Sequence, residues 1–188
     1  MLRDRRNNFW TLIVAMLSLA LALPACSGAG PAPENNAGTI SVVAAENFYG
    51  DIVQQLGAGH VSVVSILSDP NADPHEYESS VQDAAAVSKA QLVIENGADY
   101  DTWMDKLLSA SPNPNRIVLT AAKVARDPLP DNPHLWYGID NIQTIAQNIT
   151  ADLEKLDSAH KADYDAALSK FDSSLQPIQQ KINEIKKI

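Results

Sequence analysis

The chain has 188 residues, 45% of them hydrophobic and 20% charged, enough for one globular domain with a real core. Its formal charge of −9 repels phosphate backbones and anionic lipid headgroups, which argues against a DNA or RNA partner. The single cysteine, Cys26, leaves no intramolecular disulfide and no thiolate-rich metal site.

Arg3, Arg5 and Arg6 precede an apolar run from Phe9 to Leu23, which Leu23-Pro24-Ala25-Cys26 closes with small residues. That is the three-part build of an export signal, and Pro24 ends the run before it is a comfortable membrane span. The Leu-x-Ala-Cys end resembles the lipobox of bacterial lipoproteins, which implies that residues 1–25 are a cleaved signal peptide and that Cys26 is acylated. The lipid would then tether the protein to the outer face of the cytoplasmic membrane. A plain secretory signal or an N-terminal anchor, with an incidental cysteine, is the alternative. Residues 26–38, rich in Gly, Pro and Asn, read as a flexible linker.

From Thr39 onward short apolar runs alternate with helical patterns. Strands are expected at Ile40–Ala44, Val61–Leu67, Leu92–Ile94 and Arg116–Leu119. Helices are expected over about Phe48–Leu56, across Val81 to Ser88, and through Trp103, Met104, Leu107 and Leu108. β-branched runs without clean alternation indicate a parallel sheet covered on both faces. The fold class is therefore α/β, a lobe over 39–140 built on a parallel four-stranded sheet with flanking helices.

Two Pro-His pairs stand out. Asp73-Pro74-His75-Glu76-Tyr77-Glu78 follows the second strand, and Pro133-His134-Leu135-Trp136 follows the fourth. Proline holds the residue before it extended, so each histidine leaves its loop in a fixed direction, as a metal ligand requires. Loops at the carboxyl ends of parallel strands share one edge of the sheet, so His75 and His134 are expected to meet there, projecting from neighbouring strand tips. Asp73, Glu76 and Glu78 are candidates to orient His75 or to attract a cation. Against this, a histidine in a polar loop is most often merely solvated. His60, beside a Gly-rich turn, and His160, at a helix start, are read as solvated surface residues.

Residues 141–188 read as wholly helical. Asp140 to Gln143 look like a helix start with a capping pair, and Ile142, Ile145, Ile149, Leu153 and Leu156 fall on one face. A longer stripe follows, Tyr164, Leu168, Phe171, Leu175, Ile178, Ile182 and Ile185, with Pro177 inside it as an expected kink. This stripe fits either a coiled coil or a helix laid along a globular lobe.

The stretch from Asp73 to Glu78, then Ala90-Gln91-Leu92-Val93-Ile94-Glu95-Asn96-Gly97-Ala98-Asp99-Tyr100 running on to Trp103-Met104, then Asn132-Pro133-His134-Leu135-Trp136, is similar to the substrate-binding lipoproteins of zinc and manganese ABC transporters. The resemblance implies two α/β lobes joined by one long inter-lobe helix, with a Zn²⁺ or Mn²⁺ ion in the cleft and an ABC permease as partner. By motif, His75 and His134 match the two N-terminal-lobe ligands, and the helix from about Ala159 matches the inter-lobe helix. The family's other ligands, a His or Glu and an Asp, belong to the second lobe. The sequence stops at Ile188 where that lobe is expected, so it reads as a form with the C-terminal lobe missing. Residues 120–133 contain no histidine, unlike the His-rich loop of many zinc binders, which tilts the expectation toward manganese.

The competing functions are a surface lipoprotein or adhesin that uses its helical tail for partner contacts, and a zinc hydrolase with Glu76 as base. The second lacks a His pair at metalloprotease spacing and any nucleophile context. The chain is accordingly expected not to be an enzyme.

Overall fold

The computed structural model describes residues 38–126, 128 and 131–188. The signal segment, Cys26 and almost all of the linker lie outside the described residues. Four strands are formed, β1 (Ile40–Glu46), β2 (Val61–Leu67), β3 (Leu92–Glu95) and β4 (Ile117–Thr120). They alternate with helices α1 (Asn47–Leu56), α2 (Val81–Lys89), α3 (Thr102–Ala110) and the single turn α4 (Ala121–Val124). Two longer helices follow, α5 (Ile139–Leu156) and α6 (Lys161–Ile185), entered through short 3-10 turns at Leu135–Tyr137 and Ser158–His160.

All strand pairings are parallel, in the order β2-β1-β3-β4. The fold class expected from the sequence is the one observed. In β1 successive side chains go to opposite faces: Ile40, Val42 and Ala44 join one core with α1, α5 and α6, while Val43 and Ala45 join another with α2 and α3. A strand buried on both sides has no polar face to alternate with, which is why β1 reads as a continuous apolar run. Each such fully buried Val or Ile contributes roughly 1.5–3 kcal/mol of burial.

The strand order corrects one expectation. β2 and β4 are the two edges of the sheet, so the His75 and His134 loops do not leave neighbouring strand tips. Both loops lie at the same carboxyl edge, and the ends of β1 and β3 stand between them.

Helix ends also differ from expectation. The anticipated capping pair at Asp140 is not formed: the cap of α5 falls two residues earlier, at Gly138, with no side-chain cap bond. Asp140 instead lies in the first turn, where its charge is favoured by the positive end of the helix. A capping box does form at α2, where Ser80 Oγ accepts from the Asp83 N–H and Asp83 Oδ2 accepts from the Ser80 N–H. Tyr77 donates its hydroxyl to the same Asp83 oxygen at 3.0 Å, so the box also closes the His75 loop.

The long apolar stripe divides into two halves. Tyr164 and Phe171 are buried against the core, with Leu168 and Leu175 packed beside them, whereas Ile178 and Ile185 are 52% and 61% exposed. The first half of α6 is therefore a helix along the lobe. α6 runs on through Pro177, which has no N–H to give the Ser173 carbonyl. No helix among the described residues is long and apolar enough to cross a membrane.

Candidate metal site

The two histidine loops have the same local build. In Asp73-Pro74-His75, Asp73 Oδ1 accepts from the His75 N–H at 2.9 Å; in Asn132-Pro133-His134, Asn132 Oδ1 accepts from the His134 N–H at 3.0 Å. Each is an Asx turn around a proline, which fixes where the histidine Cα–Cβ bond points. Each proline carbonyl is then anchored by a side chain from the sheet region. Trp103 Nε1 donates to Pro74 O at 3.1 Å, and Asn96 Nδ2 donates to Pro133 O at 2.9 Å.

The structure brings His75 and His134 against one ring. Tyr100, from the turn after β3, meets the His75 imidazole edge-on with centroids 5.3 Å apart and the His134 imidazole at 5.8 Å. Trp136 packs against both His134 at 5.2 Å and Tyr100 at 5.1 Å, and stacks on Phe48 at 4.2 Å. Both histidines are exposed, so they face outward from the carboxyl edge of the sheet.

The tautomer of His134 follows from its partner. Asn132 Oδ1 lies 2.8 Å from Nδ1 while also accepting the backbone N–H. An oxygen in that position accepts only, so Nδ1 carries the hydrogen and Nε2 keeps its lone pair. An imidazole held in this way by a neighbouring acceptor is a basic, oriented ligand. For His75 the carboxylate of Asp73 grips the backbone and not the ring, and Glu76 and Glu78 are exposed. Of the three flanking acids, Asp73 orients the loop.

Behind the histidines lies a layer the sequence reading did not single out. Asn96 is fully buried and uses every polar group: its Oδ1 accepts from the Tyr49 hydroxyl at 2.6 Å, its Nδ2 serves Gly97 O and Pro133 O, and its N–H goes to Asp101 Oδ2. Asp101 takes the Gly97 N–H on its other oxygen at 2.8 Å, which shapes a turn whose residues Gly97, Ala98 and Asp99 all have positive φ. A Cβ at position 97 would meet Thr120 Cγ2 at 2.6 Å, so only glycine fits there. This tight turn delivers Tyr100 between the loops. A turn at Asn96-Gly97-Ala98 after the third apolar run is what the sequence predicts; the hydrogen bonds that Asn96 and Asp101 make there are what it does not show.

Glu46, at the end of β1, is 1% exposed, and neither of its carboxylate oxygens has a satisfactory protein hydrogen bond. Burial first, then the neighbouring charges of Asp101 and Glu95, push its carboxyl up to about 9, so it is neutral at pH 7. Burial likewise raises Asp101 and Glu95, against the N–H groups of Asn96 and Gly97 on the first and the Thr120 hydroxyl on the second.

His60 and His160 are not the independent surface residues the sequence suggested. Their rings stack with centroids 3.8 Å apart, because the turn before β2 and the start of α6 meet at the opposite edge of the sheet.

The chain is 26% identical over 185 residues to the metal ABC transporter substrate-binding lipoprotein ScbA of Streptococcus cristatus, covering 92% of this chain and 59% of that protein. It is 26% identical over 161 residues to the iron-binding protein YfeA of Yersinia pestis, covering 81% of this chain and 50% of that one. Among solved structures it resembles the periplasmic zinc-binding protein TroA of Treponema pallidum, with a TM-score of 0.68 at 20% identity over 77% of this chain and 54% of that one. A periplasmic metal-binding protein of Candidatus Liberibacter asiaticus gives a TM-score of 0.69 at 22% identity, over 78% of this chain and 58% of that one. At such identities the structural likeness establishes the fold. The chain spans about 59% of the length of the first of these relatives. The family described as zinc-uptake complex component A, periplasmic, matches residues 42–188, and the chain belongs to that family.

Proposed function

We propose that this chain captures a Zn²⁺ or Mn²⁺ ion outside the cytoplasmic membrane, with His75 and His134 as ligands, for delivery to an ABC permease. The ion is cargo. The observation that carries this function is the pair of matching Asx-Pro-His loops, independently anchored at Pro74 and Pro133 and converging on Tyr100. Family membership supports it, as do the names of relatives described as substrate-binding or metal-binding proteins. A binding protein fits better than a hydrolase, since Glu76, the base a hydrolase would use, is exposed beside a loop built for orientation. Attachment through an acylated Cys26 is part of the same proposal, as ScbA is named a lipoprotein.

Two neutral imidazoles form half of a four-coordinate zinc shell, and manganese accepts them when oxygen donors complete the set. They do not choose between the two metals. Isothermal titration with Zn²⁺ and Mn²⁺, followed by elemental analysis, tests the site. His75→Ala and His134→Ala are each expected to weaken binding at this site by about tenfold or more. Unchanged affinity in the double variant would overturn the assignment.

A further inference from the structure

At the amino edge of the sheet, away from the Asx-Pro-His loops, four side chains with metal-binding atoms come together. His60 leaves the tight turn between α1 and β2, where Ala58 and Gly59 both have positive φ. Its own N–H is bound to Gly57 O at 2.7 Å and its carbonyl accepts from Ile40 N at 2.9 Å, so its backbone is held at both ends. Asp157, His160 and Asp163 recur every three residues through the 3-10 turn and the first turn of α6, which puts them on one side.

One donor atom from each of His60, Asp157 and His160 lies within 4.8 Å of the others, and Asp163 Oδ2 is 3.0 Å from His60 Nε2. The His160 Nδ1 to Asp157 Oδ2 distance is 2.6 Å. Tyr164 donates its hydroxyl to that same Asp157 oxygen at 2.9 Å, as an outer partner orienting a ligand would. The two imidazoles stack with centroids 3.8 Å apart, which places their ring nitrogens side by side, and a neutral imidazole is the form that binds metal.

We propose that His60, Asp157, His160 and Asp163 form a second divalent-metal site, selective for zinc-like ions, that staples the start of α6 to the turn before β2. Two nitrogens and two oxygens are a donor set that zinc accepts in tetrahedral geometry. Ligand bonds of 2.0–2.2 Å place tetrahedral donors about 3.3–3.6 Å apart, so the donors of His60, Asp157 and His160, within 4.8 Å of one another, close around an ion by shifts of about an ångström, and Asp163 joins them from its contact with His60. The two rings splay from their stack as their lone pairs turn to the ion, and the hydrogens on the coordinating nitrogens pass to the other ring nitrogen or to solvent. The neighbouring cation, Lys161, is already engaged by Glu154 at 2.6 Å and Asp165 at 3.3 Å, so it does not occupy the aspartates.

The chain has four histidines, so a His75→Ala, His134→Ala variant of the full chain, made without a histidine tag, keeps only His60 and His160. Dialysis of this variant against zinc chloride with elemental analysis is expected to retain one equivalent. Zinc is expected to move both remaining imidazole NMR signals together, and cobalt chloride to give the visible absorption of a tetrahedral ion. Adding Asp163→Asn, an exposed change that spares the fold, should weaken zinc by about tenfold, and adding His60→Ala with His160→Ala should abolish retention. No zinc retained in the first variant, or retention unchanged in the last with its circular dichroism intact, would overturn the second site. Neither result bears on His75 and His134, which are absent throughout.

Discussion

Asn96 donates its side-chain amide to the carbonyl oxygen of Pro133 across 2.9 Å, tying the fully buried end of β3 to the loop that carries His134. The exposed candidate ligand thus takes its position from a residue that never meets the metal. Asn96→Ala leaves the Tyr49 hydroxyl and the Pro133 carbonyl without their partner. The expected cost is about 2–3 kcal/mol in urea unfolding, together with weaker zinc binding at the His75 and His134 site. A stable variant with full affinity would show that the loop holds its place unaided.

Asn132 tests the tautomer. Asn132→Ala removes the acceptor that keeps hydrogen on His134 Nδ1 and is expected to weaken metal binding by about 10–100-fold. Asn132→Asp preserves an acceptor for both the ring and the backbone N–H and is expected to restore most of the affinity. Equal titration curves for the two variants would remove the orienting role.

Trp103 anchors the other loop through its indole N–H on Pro74 O while its ring packs with Tyr77, centroids 4.8 Å apart. Trp103→Phe keeps most of the packing and deletes one hydrogen bond, for a loss of about 1 kcal/mol. The signature is local: amide exchange should accelerate across residues 73–78 and not around His134.

Glu46 gives the chain a dependence on pH. Its carboxyl, ordinarily at 4.5, is pushed up to about 9 by burial and by Asp101. Between those values the folded chain binds a proton that the unfolded chain does not, so stability from this group falls as pH rises through that window. Glu46→Gln keeps the shape without the titration. From about pH 6 to pH 9 its stability should decline less steeply than the wild type's, with a difference of about 1–3 kcal/mol at the alkaline end. Parallel denaturation curves at every pH would count against a neutral, buried Glu46.

The two halves of α6 should respond differently to truncation. Phe171, 6% exposed in the main core, is expected to cost about 3–5 kcal/mol as alanine. Ile185, 61% exposed, is expected to cost at most about 0.5 kcal/mol in the same assay. A large loss at Ile185 would reveal packing on the distal half of the helix.

Local chemistry decides local features, and these were legible in the amino-acid order: the apolar runs of β1 to β4, the parallel sheet they imply, and the proline-braced loops at His75 and His134. Each rests on neighbours within a few positions of one another. What depended on distant segments was not legible. The sheet order puts β2 and β4 on opposite edges, so Tyr100, from a tight turn after β3, is needed to span the gap between the two histidines. His60 and His160 looked solvated because one sits beside a Gly-rich turn and the other at a helix start; only packing α6 back across the sheet brings their rings to 3.8 Å. Glu46 lies beyond the strand expected from the sequence, and its neutral state comes first from burial and then from Asp101 and Glu95, which converge on it where β1, β3 and α3 meet. Burial and long-range charge are sums over the folded surroundings, and only the tertiary structure supplies those surroundings.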